Sequence, residues 1–319
     1  MTAINGMLTA MRDALPIRVI ALTATIVVML LLFNYQSPYF LTIDNIANIA
    51  SQLPEVGLIS LSLTFIIISG GMDLSAGSIV GLAGAALGLS YLAGLNIWLS
   101  VLVAIVVGTA CGWLNGFLIA RLRMQAIVVT VGTMVLLRGV IYVLTNGRSL
   151  SGFPDEFYFL GQGTIFSIPF SFLVFAVLFV GSHLILTRTV FGRWVFAIGN
   201  NEETLRYSGA PVVQIRWLLF TVSGSLAGLS GVFLASRLAS TQATGGEGFA
   251  LQAITAALLG GANIFGGSGS VMGTFLGLII IVVLGNGLDM MNVSTIVQSM
   301  IVGIFILVAA WLGIKRRMV

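Results

Sequence analysis

Reactive and charged side chains are scarce in this chain. It has 319 residues with one cysteine, one histidine and 8% charged residues. A soluble domain carries about 25% charged residues; together with a hydrophobic content of 58%, this describes an integral membrane protein. Cys111 stands alone inside an apolar run, which excludes an intrachain disulfide and reads as a small buried side chain. His183 has no Cys, Asp or Glu at ligand spacing, so no metal site is expected. Lys315 is the only lysine, and neither glycine-rich turn ends in the Gly-Lys-Ser/Thr of a phosphate-binding loop. If ATP drives this protein, another subunit must hydrolyse it. Ser/His/Asp sets and paired carboxylates are also missing, which argues against an enzyme, and no cofactor is expected. The net charge of +4 lacks the aromatic-interleaved basic surface of a nucleic-acid binder; the basic residues serve better as topology markers.

What the chain has is long apolar runs. A spanning helix needs roughly 20 apolar residues, and the runs suit helices rather than the alternating strands of a barrel. The expected fold is an all-α, polytopic helical bundle, a single membrane domain over 1–319. Its spans fall at 17–33, 50–69, 78–95, 97–120, 127–144, 168–187, 215–236, 250–262, 271–288 and 295–313, with 250–262 short. Ends are uncertain by about three residues, and the count drops below ten if 250–262 is re-entrant. The first run follows Arg12 and Arg18 but is followed by "NYQSPYF" rather than a cleavage site, so it reads as a retained helix. Arg12 and Arg18, "RLR" at 121–123, the Arg188–Arg216 segment and "KRR" at 315–317 all fall on one side, predicting cytoplasmic N- and C-termini. Glycines at Gly77/Gly81, Gly84/Gly88 and Gly273/Gly277 have the spacing for close helix–helix packing.

An internal repeat is legible. "GGMDLSAGSIVGLAGAALG" at 70–88 is echoed by "GGANIFGGSGSVMGTFLG" at 260–277, each between two apolar helices. Both copies fall on the cytoplasmic side, so the repeat is parallel, as in transporters built by duplication. Irregular backbone at membrane depth needs cover from protein or water, so the turn either lines a cavity or gate, or merely caps the next helix through Asp73 or a serine. Few charges lie near the membrane: Glu55 and Asp73 near span ends, and Arg138 with no partner in sight. This weighs against an ion-coupled carrier, which needs such a group at mid-depth.

Between the sixth and seventh spans, the loop 188–214 contains "NNEETLRYSGAP". Asn200 or Asn201 can cap a short helix, Glu202 and Glu203 suit its positive end, and Gly209 and Pro211 stop it. It is either a solvated connector or a lever on which a partner subunit pushes, and capping at both ends favours the lever.

Four segments, "LTFIIISGGMDLSAGSIVG", "VVTVGTMVLLRGV", "FGRWVFAIGNNEETLRYSGAP" and "ALLGGANIFGGSGSVMGT", resemble in order the permease subunits of ribose-type bacterial ABC importers, which take up monosaccharides and autoinducer-2. The resemblance runs from about residue 40 to the C-terminus. It implies a multi-pass protein of the bacterial inner membrane that works with a second permease copy, identical or related. A cytoplasmic ATPase and a periplasmic or surface-tethered solute-binding protein are the other implied partners, with a small sugar as cargo. It also implies that the loop helix couples to the ATPase, through Gly192, Arg193, Ala197, Ile198, Gly199, Asn200, Glu202, Glu203, Arg206 and Gly209. The sequence departs from that family at Thr204 and Leu205, where two alanines are common, and at "QAIV" 125–128, where a proline is common. On this reading the translocation hinge comprises Gly70, Gly71, Asp73, Gly260 and Gly261, while Ser62, Thr64, Ser69, Ser75 and Asn263 are hydrogen-bonding candidates for a sugar pathway. A related permease for branched-chain amino acids, an ion-coupled carrier and a passive channel are the competing readings.

Overall fold

The computed structural model describes residues 2–294 together with 296–298, 300, 301, 303 and 304, with side chains described from residue 18 onward. The apolar runs fold as helices. They are α1 (Thr2–Gln36), α2 (Ile43–Ile68), α3 (Ala76–Leu92), α4 (Ile97–Gly116), α5 (Ala126–Thr145), α6 (Asp155–Gln162), α7 (Phe170–Arg188), α8 (Val190–Tyr207), α9 (Val212–Arg237), α10 (Phe249–Leu259) and α11 (Val271–Met290). Seven helices among the described residues are long and apolar enough to cross a membrane. The expected span 295–313 and the "KRR" cluster fall almost wholly outside the described residues, as does the side chain of Arg12.

Several boundaries move. α2 begins seven residues before the expected start, with Thr42 capping Asn45 N–H at 3.4 Å and Asp44 in its first turn. The loop 146–164 contains α6, which Pro154 opens and Asp155 and Glu156 favour at its first turn. β1 (Leu150–Ser151) pairs antiparallel with β4 (Ser240–Thr241), and β2 (Thr164–Ile165) with β3 (Ile168–Pro169), so short clips tie these loops.

α2 and α9 form the centre of the bundle. α2 is buried without a break from Leu53 to Ile68. α9 crosses α4 where Gly224 and Gly228 meet Gly108 and Gly112; a Cβ on Gly112 would lie 2.8 Å from the Gly224 Cα. Without water to drive association, such close backbone approach supplies much of the packing attraction between spans. α10 has eleven residues, about 16 Å of helix, too short for a hydrocarbon core of about 30 Å. A non-helical segment of successive turns, 243–248, precedes it.

That segment corrects the reading of the first glycine pairs. Gly273 and Gly277 do seat a helix: Cβ atoms there would overlap Gly260 and Ala256 at the end of α10. Gly77, Gly81, Gly84 and Gly88 instead seat non-helical chain, facing in turn Gly246, Gly245 and Thr241. Spacing of small residues shows that backbone comes close; it does not show which kind of backbone.

Candidate functional site

The two glycine-rich junctions, 69–75 between α2 and α3 and 260–270 between α10 and α11, meet at one end of the bundle. Gly267 donates its N–H to the Ile68 carbonyl at 2.8 Å. Gly70 and Gly266 both have positive φ, +78° and +87°, and a Cβ on Gly266 would lie 2.9 Å from the Gly70 Cα. Both copies of the repeat therefore open on the same side, and α2 and α10 enter where α3 and α11 leave.

The loop helix reaches this same point. α8 is two helices joined at Asn201, whose φ of −160° breaks the helical run. The Asn201 side chain caps the second part by accepting Thr204 N–H at 2.9 Å, and Gly209 (φ +82°) follows its end. The first part brings Gly199 against both junctions: a Cβ there would overlap the Ile68 carbonyl oxygen and the Gly267 nitrogen, so only glycine fits. Asn200 lies over Gly267. Gly192 packs on the Leu186 carbonyl and donates its N–H to Thr189 Oγ1 at 3.2 Å, which fixes the α7–α8 corner.

Glu202 and Glu203 separate in role. Glu202 accepts from Arg206 at 2.7 Å and pairs with Arg216 at 2.8 Å; Arg216 in turn approaches the Ser69 carbonyl at 3.5 Å. A polar bridge thus runs from the loop helix to the first junction. Glu203, Arg193, Asn200, Arg206 and Tyr207 are exposed. Beside them a cleft of ≈ 210 Å³ is lined by Arg123, Glu202, Arg206 and Arg216 among others.

The first junction is anchored in a buried polar chain. Asp73, fully buried, accepts from Ser75 N–H at 3.0 Å, Ser75 Oγ–H at 2.6 Å and Ser223 Oγ–H at 2.9 Å. Asn115 donates to Ser75 Oγ at 2.9 Å, Thr133 donates to Asn115 at 2.7 Å, and Ser62 reaches Ser223 at 3.3 Å. Ser223 lies about 16 Å along α9 from Val212, so Asp73 sits well inside the bundle rather than near a span end. A buried carboxylate needs such donors to offset its lost hydration.

The expected pathway hydroxyls are engaged within the protein. Ser62 bonds the Ile59 carbonyl and Ser223, Thr64 bonds the Ser60 carbonyl and Thr274, and Ser69 bonds the Ile66 carbonyl. Asn263 holds its own turn, accepting Phe265 N–H at 3.0 Å, and Gly260 caps the α10 end with Gly261 (φ +102°) just beyond it. The side chain of Arg18 lies against Gly261.

Two charged residues also depart from expectation. Glu55 sits midway along α2, 4% exposed, and pairs with Arg237 at the end of α9; Arg237 Nη2 donates to Glu55 Oε2 at 3.1 Å. Arg138 is not unpartnered: its guanidinium donates to the carbonyls of Ala243 at 3.2 Å and Gly245 at 3.5 Å. Sequence reasoning passed over Asn115, Thr133 and Ser223 and took Arg216 only as a flank of the loop helix; a lone polar residue inside an apolar run was the available signal for Asn115 and Ser223.

Comparison with known proteins places these features. A family model described as "Branched-chain amino acid transport system / permease component" matches residues 45–310. The ribose import permease protein RbsC of Haemophilus influenzae is 36% identical over 299 residues, covering 91% of this chain and 93% of that protein. RbsC of Escherichia coli K12 is 34% identical over 296 residues, 92% of each chain. The autoinducer 2 import system permease protein LsrD of Yersinia enterocolitica is 33% identical over 309 residues, covering 94% of this chain and 93% of that protein. No solved structure matches the chain. With a family model and full-length relatives covering nearly the whole helical bundle, this protein belongs to the family of bacterial import-system permeases that includes the ribose and autoinducer 2 permeases.

Proposed function

We propose that this chain is the membrane-crossing permease of an ATP-driven importer for a small sugar, working in the bacterial inner membrane with both termini in the cytoplasm. A separate ATPase supplies hydrolysis, a solute-binding protein delivers the sugar, and a second permease copy completes the passage. The relatives support a sugar, since those quoted are named for ribose and autoinducer 2.

The observation that carries the reading is the contact of Gly199 with both junctions at once. A push on the exposed face of the second α8 segment, at Glu203, Arg206 and Tyr207, passes through the kink at Asn201 to Gly199 and so to Ile68 and Gly267, and reaches Ser69 through Glu202 and Arg216. One lever acting on both copies of a parallel repeat would tilt α3 and α11 together, as alternating access about an internal site requires. Closure of the ATPase dimer supplies the push.

The test is reconstitution of the purified complex in proteoliposomes. ATP-dependent ribose uptake that survives collapse of ion gradients supports the importer. Uptake without ATPase that dies with the gradient would establish an ion-coupled carrier instead. The family description gives a second reading, a branched-chain amino acid as cargo; the ligand bound by the partner binding protein separates the two.

A further inference from the structure

The non-helical segment 241–246 runs along α3 from Gly88 to Gly77. Thr241 lies against Gly88 and Gly84, Gly245 against Gly81 and Gly246 against Gly77. The segment is folded in tight turns, Gly245 donating its N–H to the Gln242 carbonyl at 2.9 Å and Glu247 its N–H to the Thr244 carbonyl at 3.1 Å. It begins at the β1–β4 clip and leads to the start of α10.

Its two faces differ. Thr241 and Ala243 are buried toward α3, whereas Gln242 and Thr244 are exposed on the other side, followed by exposed Glu247. Among the described residues no intramolecular hydrogen bond engages the side chains of Gln242, Thr244 or Glu247, unlike the satisfied hydroxyls of Ser62, Thr64 and Ser69. The space behind the segment is a cavity of ≈ 20 Å³, room for one water.

Non-helical chain exposing an amide, a hydroxyl and a carboxylate at membrane depth cannot face lipid. Unsatisfied backbone and polar groups cost several kcal/mol there and are tolerated only against protein or water. Arg138 supports this placement from α5 by occupying the carbonyls of Ala243 and Gly245, which a helix would have satisfied internally.

We propose that the exposed face of 242–247 lines the water-filled passage and that Gln242 and Thr244 hydrogen-bond the neutral, polyhydroxylated solute as it passes, with Arg138 as the positioning residue that holds these turns in place through the Ala243 and Gly245 carbonyls. The proposal rests on the importer reading above for the nature of the solute; the placement of the passage stands on the polar face alone. Amide and hydroxyl groups suit sugar hydroxyls because each both donates and accepts.

The test begins from the full complex in a Cys111→Ser background. Gln242→Cys, Thr244→Cys, Ala243→Cys and Val143→Cys are each exposed to a membrane-impermeant thiol reagent added outside, at rest and during turnover. Modification at 242 and 244 that outpaces both Ala243→Cys and Val143→Cys, slows with ribose and binding protein, and blocks ribose uptake is the expected result. Rates at 242 and 244 no faster than at either control, at rest and during turnover, overturn the proposal. Spontaneous disulfides between two copies at 242 would overturn it too, since the face would then be an interface. Gln242→Ala lowers ribose uptake about fivefold, the loss expected for one hydrogen bond of about 1 kcal/mol, without changing ATPase assembly. Unchanged uptake sinks the solute contact. ATP dependence of uptake in the Cys111→Ser parent is read in the same vesicles, so failure of the importer reading is visible separately from failure of the passage placement.

Discussion

The two junctions of the repeat occupy equivalent places and are held in different ways. The first is tied into the bundle through Asp73, Ser75, Asn115 and Ser223, which join the α2–α3 turn to α4 and α9. The second satisfies itself: Asn263 N–H bonds the Ser268 carbonyl, Gly266 N–H bonds the Asn263 carbonyl, and Ser270 caps Gly273 N–H at 3.0 Å. Equivalent glycines thus serve one anchored hinge and one self-contained hinge. When the lever at Gly199 moves, the second junction should travel further than the first.

The largest effect should come from cutting the anchor. Asp73→Ala leaves three donors without an acceptor inside the bundle and should cost about 3 kcal/mol or more, seen as a lowered Tm in detergent; Ser223→Ala, which removes one donor, should cost about 1 kcal/mol. If Asp73→Ala melts with the parent protein, the first junction is not anchored and the contrast disappears.

Next comes the lever. Gly199→Ala forces a methyl into the Ile68 carbonyl and Gly267, an overpacking that should cost about 1–3 kcal/mol and lower uptake more than it lowers stability. Gly181→Ala, whose Cβ meets nothing within 4 Å, should leave Tm and uptake unchanged and is the control.

Arg216→Ala breaks the Glu202 pair and the approach to the Ser69 carbonyl. The pair is partly exposed, so stability should fall by no more than about 1 kcal/mol; the sensitive readout is sugar moved per ATP hydrolysed, which should drop while ATPase binding persists. Equal transport per ATP in the variant would show that force reaches the first junction by Gly199 alone.

The smallest effect belongs to the self-contained turn. Asn263→Ala removes the acceptor for Phe265 N–H, an exposed bond, and should cost about 0.5 kcal/mol, with hydrogen exchange rising at 263–268 and not at 70–75. A rise at both would mean that the two junctions move as one body.

Much of this molecule was legible in the sequence because a bilayer imposes a length and a composition on each crossing. The runs 97–120 and 271–288 and the short eighth run correspond to α4, α11 and α10, and the capped turn at Asn201 and Gly209 stands where "NNEE" and "SGAP" put it. Less legible were features that depend on a distant partner. Arg138 reads as isolated along α5, because the carbonyls that hold it lie about a hundred residues later. Glu55 reads as a span-end charge until Arg237 is found beside it.

By itself the sequence determined the membrane class, the helical character, the duplicated glycine-rich turn and the position of the loop helix, since apolar run length, glycine and caps act within a few residues. Only the tertiary structure decided that the loop helix touches both turns at Gly199, that Asp73 is anchored through Ser223, and that the glycine stripe of α3 seats non-helical chain. Those outcomes depend on which surfaces meet across the bundle, and a hydrogen bond between residues 73 and 223 leaves no mark on the local pattern of either.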